Sequence, residues 1–245
     1  MAGHSKWANI KHRKERADAK KGKVISRAAK EIISAVKMGG TDVRSNSRLR
    51  LAVEKAKAAN VSNEVIDRNI KKANSEEQAD YVEMSYELYG HGGVGLIVDI
   101  MTDNKNRISS DIRIATNKKG GSIAGPGSVA YNFDRRGVIH IIKNHAIENE
   151  LFNAAIEAGA LDFKAAEDVF IIYTDPQEFI QVKEAVEKLG FKADHAALEM
   201  VPKVLVECDD ENFDANMGLI EWLENLDDVD AVYHNMNTQT DEKAS

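Results

Sequence analysis

The feature that most constrains this chain is a change of period near residue 80. Before it, apolar residues recur every three or four positions; beyond it they come in short runs of the kind that form strands. From Val24 to Met38 the apolar Val24, Ala28, Ile32, Ala35 and Val36 share one helical face, and Gly39-Gly40 follows as a stop signal. A second helix is expected from about Asn46 to Asn60, with Leu49, Val53 and Ala56 inward. A third starts after Ser62, a good N-cap, with Glu64 in its first turn. It turns Val65, Ile66 and Ile70 inward and sets Lys71 and Lys72 at its negative end. Residues 24–78 therefore read as a small helical bundle, with the polar run NSEEQAD at 74–80 as its linker.

Past the linker, SYELYG (85–90) and VGLIVDIMT (94–102) read as two strands joined by His91 to Gly93. TDNKNRISSDIRIATNKKGG reads as a capped helix with Ile108, Ile112 and Ala115 inward, and SIAGPGSVAYNF (122–133) as loop and strand. Residues 137–199 then give strand, helix, strand, strand, helix, strand, which is the ferredoxin-like plan and closes on itself. What remains is only strand, helix, strand: VPKVLVECD, a helix from about Glu211 to Asn225, and VDAVYHNM. Neither this remnant nor residues 81–133 completes a domain, so the two are expected to pair around the ferredoxin-like unit. The expected class is α+β: an N-terminal helical bundle followed by two α/β sandwich domains, one ferredoxin-like and inserted into the other. The expected boundaries are 1–23 for a basic arm, 24–78 for the bundle, 79–134 plus 200–238 for the discontinuous domain, 135–199 for the insert and 239–245 for a tail.

Charge divides the chain as sharply as period does. Residues 1–72 hold 19 basic and 7 acidic residues, while 73–245 hold 14 basic and 33 acidic, so an overall charge of -7 conceals a basic head and an acidic body. Such asymmetry points to a polyanion as partner, because a basic patch acts locally, within a Debye length of about 8 Å at physiological salt. The first 30 residues contain ten Lys or Arg against Glu15 and Asp18, and their only large apolar residues before the first helical stripe are Trp7 and Ile10. A helix polar nearly all round is marginal without a partner, so the segment reads as an arm that is loosely held when free and ordered when bound. A solvated tail without a specific role is the competing reading.

The arm's MAGHSKWANIKHRK and DAKKGK, together with RLRLAVEKAKAANV (48–61), TDNKNR (102–107) and GPGSVAYNF (125–133), resemble the YebC/PmpR family, which includes the mitochondrial translational activators. The resemblance runs with specific motifs to about residue 134 and at lower specificity to IEWLENLDDVDAVYHN. It implies a non-enzymatic, cytosolic or organellar protein of three domains. Members are DNA-binding transcriptional regulators or, in some branches, factors acting on translating ribosomes. It also supports the division of residues 79–238 given above.

The glycine motifs have plain alternatives. GHGGVG (90–95) satisfies G-x-G-x-x-G, but the dinucleotide fingerprint must follow a strand and open a helix, and here it opens a strand; a hairpin connection fits better. GGSIAGPG (120–127) could offer backbone amides to a phosphate beside Lys118 and Lys119, whereas Gly120 as a helix C-cap explains half of it with no ligand. TDNKNR sets Asn104, Lys105, Asn106 and Arg107 around a positive helix end, suited to phosphates and base edges. Ordinary capping by Asp103 is the alternative.

Catalytic motifs are lacking: there is no G-K-[ST] loop, H-E-x-x-H or nucleophile elbow, and Cys208, the only cysteine, sits in an apolar strand pattern that favours an inert thiol. No cofactor, metal, membrane or small-molecule substrate is expected, and the cytosol is the expected compartment. The expected function is a nucleic-acid-binding regulator of gene expression that performs no chemistry, foremost a DNA-binding transcriptional regulator. A translation factor bound to ribosomal RNA is the alternative, and a nucleotide-binding enzyme a distant one. Candidate contacts are Lys6, Trp7, Lys11, His12, Arg13, Lys14, Arg16, Lys20, Lys21 and Lys23 in the arm. Arg27, Arg48 and Arg50 in the bundle join them, as do Asn104, Lys105, Asn106, Arg107, Lys118 and Lys119 beyond it. Trp7 and His12 would stack on bases, or Trp7 would staple the arm to the bundle.

Overall fold

A single buried asparagine joins the first two helices. The computed structural model describes residues 21–73, 80–143, 148–166 and 168–238. Helix α1 (Lys21–Gly39) ends where Asn46 Nδ2 donates to the carbonyls of Ala35 and Gly40, each at 2.8 Å. The same side chain accepts from the amide of Leu49 at 3.0 Å and so caps α2 (Ser47–Ala58). One residue thus satisfies orphan groups at two helix ends, which fixes the turn between them. Ser62 caps α3 (Asn63–Ala73) through the Val65 amide. Ile32, Val36, Leu49, Val53, Ala56 and Ile66 form the bundle's core, and Val65 and Ile70 pack against it, as the period predicts; Ile33, which the period did not mark, is buried with them.

The first sheet has the order β3-β1-β2-β8. Strands β1 (Val82–Tyr89) and β2 (Gly95–Thr102) pair antiparallel along their whole length. The 3-10 turn His91–Gly93 joins them, with Gly92 and Gly93 in the left-handed region that only glycine enters freely. Helix α4 (Lys105–Lys119) follows, and then β3, a mere two residues (Ser122–Ile123). Helix α7 (Asp210–Asn225) and strand β8 (Val229–His234) come more than a hundred residues after β2, yet β8 pairs with it. Leu96, Val98, Ile100, Ile108, Ile112, Leu219 and Leu223 make the core under α4 and α7.

The second sheet has the order β5-β6-β4-β7, all antiparallel, with α5 (Glu148–Glu157) and α6 (Phe179–Lys188) packed on one face. Its strands are β4 (Phe133–Ile142), β5 (Ala160–Ala165), β6 (Val169–Thr174) and β7 (His195–Pro202). The element order and strand order are those of the ferredoxin-like plan.

Two local expectations shift. SVAYNF does not form a strand of its own: Ala130–Asn132 is a 3-10 turn, and Phe133 opens β4, four residues before residue 137, where the first strand of the ferredoxin-like run was expected to start. VPKVLVECD is not a separate strand either. Val201 and Pro202 end β7, the Lys203 amide adds one more bond in the same register to the carbonyl of Asn132, and beyond it only Val206 makes an isolated parallel bridge, to Met236. Pro202 lies opposite Phe133 at a pair that exchanges no ladder bonds, and β7 is an edge strand, so its missing amide hydrogen is tolerated there.

Candidate nucleic-acid interface

The basic residues singled out in the sequence divide into three groups once the fold is in place. Lys6, Trp7, Lys11, His12, Arg13, Lys14, Arg16 and Lys20 lie outside the described residues, as do the linker residues 74–79 and the tail 239–245. Lys21 and Lys23 are in the first turn of α1. The remainder can be placed atom by atom.

The three bundle arginines singled out in the sequence each reach a residue beyond the bundle. Arg27 Nη2 donates to the carbonyl of Glu224 at 3.1 Å, in the last turn of α7 where carbonyls lack helical partners. Arg48 forms an ion pair with Glu83 on β1, and Arg50 Nη1 lies 3.4 Å from Glu184 on α6. Lys30, which the sequence had not singled out, reaches Asp228 Oδ1 at 2.7 Å and the carbonyl of Asp227 at 3.0 Å. The basic side chains that do stand exposed on the bundle include Arg44, Lys57, Arg68 and Lys71. The charge count over residues 1–72 already contained them, but nothing local distinguished them from the paired ones.

The TDNKNR turn is occupied largely by its own structure. Asn104, not Asp103, is the N-cap of α4: its Oδ1 accepts from the amides of Asn106 and Arg107, each at 3.1 Å. Asp103 is free for this reason to pair with Arg107 at 2.7 Å, one helical turn on. Arg107 also grips Asp228 Oδ2 through Nε at 2.9 Å and Nη2 at 2.6 Å. Lys105 and Asn106 stay exposed. Asp228 is the meeting point, buried and bonded by Lys30, Arg107 and the hydroxyl of Thr102 at 2.9 Å. Burial alone would raise its carboxyl, but the hydrogen bonds from these three donors outweigh it and hold the group below the usual aspartate range.

The glycine loop has its own anion. The amides of Gly127, Val129 and Ala130 converge on the carboxylate of Glu87, at 2.6, 2.6 and 2.8 Å. Burial pushes this carboxyl up, and the three backbone donors pull it further down, so the net displacement is downward. A concavity of amides that could have met a phosphate is therefore filled from within. Gly120 is the C-cap of α4, and the ring of His91 lies against it, with Nε2 2.9 Å from the Lys119 carbonyl. Lys119 Nζ stands 5.7 Å above the ring of Trp222, and Lys118 is exposed.

Groups suited to chemistry are sparse. Cys208 is half-buried and burial, reinforced by the charges of Asp209 and Glu207, raises its thiol away from the reactive range. Among the described residues no three His, Cys, Asp or Glu side chains converge as metal ligands, and no helix is long and apolar enough to cross a membrane.

Residues 5–76 match the TACO1/YebC protein N-terminal domain, and residues 81–236 match the TACO1/YebC second and third domain. The chain belongs to the TACO1/YebC family. Its TACO1/YebC relatives include a probable transcriptional regulatory protein of Protochlamydia amoebophila, 66% identical over 236 residues that make up 96% of each chain. Another, of Chlamydia pneumoniae, is 55% identical over 238 residues, 97% of this chain and all of the relative. The crystal structure of a conserved hypothetical protein from Aquifex aeolicus superposes with a TM-score of 0.83 at 40% identity, covering 93% of this chain and 95% of the other. The mixed helical and sheet architecture of this TACO1/YebC chain is thus shared with a solved structure, and relatives named as regulators of transcription support a regulatory role.

Proposed function

We propose that this TACO1/YebC protein is a nucleic-acid-binding regulator of gene expression that performs no chemistry of its own, and that duplex DNA is its principal ligand. The observation that carries this reading is the concentration of 19 basic residues in the first 72, ahead of a body with more than twice as many acidic as basic residues. Phosphate contacts supply most of such an affinity, and the relatives' names as probable transcriptional regulatory proteins support the choice of DNA. On this reading the arm provides the main contacts, with Lys105, Lys118 and the exposed bundle residues adding secondary ones.

The test is fluorescence anisotropy with labelled duplex DNA across a salt series, comparing the full chain with a chain lacking residues 1–23. If about six phosphates are neutralised, the log-log salt slope is about -5. Removing the arm, with its eight Lys and Arg residues, leaves a folded protein and abolishes most of the affinity. Equal binding by the two chains, or a flat salt dependence, would refute the proposal. Tighter binding to unpaired RNA than to duplex at the same salt would move the protein to the ribosomal reading.

A further inference from the structure

The bundle is held against the rest of the chain by the very side chains that would otherwise bind phosphate. Arg27 reaches the backbone carbonyl of Glu224 and Lys30 that of Asp227, while Lys30 also pairs with the carboxylate of Asp228, Lys37 with Asp80, Arg48 with Glu83, and Arg50 with Glu184. In the opposite sense Lys183 on α6 pairs with Glu54 on α2 at 2.7 Å. Two apolar side chains also bridge the parts: Leu51 packs against the core of the second sheet, and Tyr81 packs against the bundle. The Glu83 and Glu184 side chains are each 48% exposed, so both pairs are open to solvent.

We propose that the acidic body is an internal competitor for nucleic acid: its carboxylates occupy the bundle's Arg48 and Arg50, and a bound duplex takes those arginines by displacing the bundle from the body. The inference rests on the nucleic-acid reading given above. Its physical basis is that exposed ion pairs are weak and screened, whereas a polyanion brings closely spaced charges and releases counterions as it binds. The chain therefore has two states, one with the bundle docked on carboxylates and favoured by the buried Lys30–Asp228 pair, and one with the bundle on phosphates, which the bound duplex must stabilise enough to offset that pair. Their balance sets the apparent affinity, because binding through a minor conformation is weakened by that conformation's rarity.

The experiment compares the full chain with a Glu83→Gln/Glu184→Gln variant and with a Glu150→Gln/Glu157→Gln control. The control removes the same charge from an exposed part of α5 that makes no pair with the bundle. Duplex affinity rises about three- to tenfold in the first variant, the range expected when two exposed pairs are released, and stays near the wild type in the control. Equal rises in both variants would mean that net charge alone is responsible, and no rise in the first would mean that the arginines are not contested; either result overturns the proposal. Failure of the unmodified chain to bind duplex at all overturns the nucleic-acid reading, and this inference with it. A second readout uses dyes at the exposed positions Ser47 and Asn117, each changed to Cys in a Cys208→Ser background. Energy transfer between them falls on saturation with duplex if the bundle leaves the body. Unchanged transfer in a chain that binds DNA refutes displacement even if the affinities behave as expected.

Discussion

Replacing Asp228 by Asn removes one charge and leaves the shape of the side chain intact, which isolates the electrostatic part of the joint between bundle and body. Both carboxylate oxygens accept from cations, Oδ1 from Lys30 and Oδ2 from Arg107, so an amide in either orientation turns its NH2 group towards a donor. The side chain is 3% exposed and that of Lys30 12%, whereas Arg107 is 47% exposed and can rehydrate. Removing one partner of a fully buried pair costs about 3–5 kcal/mol, and the access of Arg107 to water lowers the expectation here to about 2–4 kcal/mol. That is a large part of the roughly 5–15 kcal/mol by which a domain is stable. Urea denaturation followed by circular dichroism at pH 7 measures the loss. The dependence on pH fixes its origin. The folded carboxyl lies below the unfolded one, so its stabilisation is complete above about pH 5 and is lost as the pH falls through the unfolded and then the lowered folded value. The gap between wild type and variant therefore narrows on acidification from pH 5 to pH 2. Adding Lys30→Met to the variant costs less than Lys30→Met alone, since its partner charge has already gone. A loss under about 1 kcal/mol at neutral pH, or a gap that stays constant into acid, would refute the account.

Two further substitutions test local devices. Glu87→Gln turns an amide towards one or more of the three backbone donors around Gly127 and loses the charge, so it destabilises by about 1–3 kcal/mol and opens the 124–130 loop to amide hydrogen exchange; unchanged exchange there would show that the carboxylate does not hold the loop. Asn46→Ala strips the caps from the end of α1 and the start of α2 together and costs about 2 kcal/mol in urea denaturation, at the upper end for a cap because two carbonyls also lose their donor. A cost no larger than a few tenths of a kcal/mol would mean that water replaces the side chain at both ends.

Elements governed by local chemistry were legible in the sequence. The 3.6 period marked the bundle's inward residues, Ser62 marked a helix start, Gly120 a helix end, and the glycines at 92 and 93 a turn between strands. The positions that misled are those decided by distant partners. SVAYNF looks like a strand, but its hydrogen bonding is set by Glu87, some forty residues earlier, which draws Val129 and Ala130 into a turn. Asp103 looks like a cap, yet Asn104 takes that place and leaves Asp103 to Arg107. The same holds for the candidate interface. Arg27, Arg48 and Arg50 count as surface charge in composition, while their partners Glu224, Glu83 and Glu184 lie 35 to 197 positions along the chain, beyond any pattern of spacing. Net charge identifies the head as basic without saying which of its cations remain available.

The pairing of β8 with β2 has a bearing on how the protein is made. Strand β2 ends at Thr102 and β8 begins at Val229, so the ribosome must add roughly 130 residues before the apolar strand GLIVDIMT gains its second neighbour. At about 5–20 residues per second, the growing chain carries that unpaired edge for roughly 6 to 25 s. The ferredoxin-like unit, whose strands are contiguous in sequence, has every partner it needs by residue 202 and can fold inside that interval. A nascent chain that stalls between residues 203 and 228 is consequently the species most exposed to strand-edge aggregation and to capture by chaperones, because three of the first sheet's four strands are present and the fourth has not yet been synthesised.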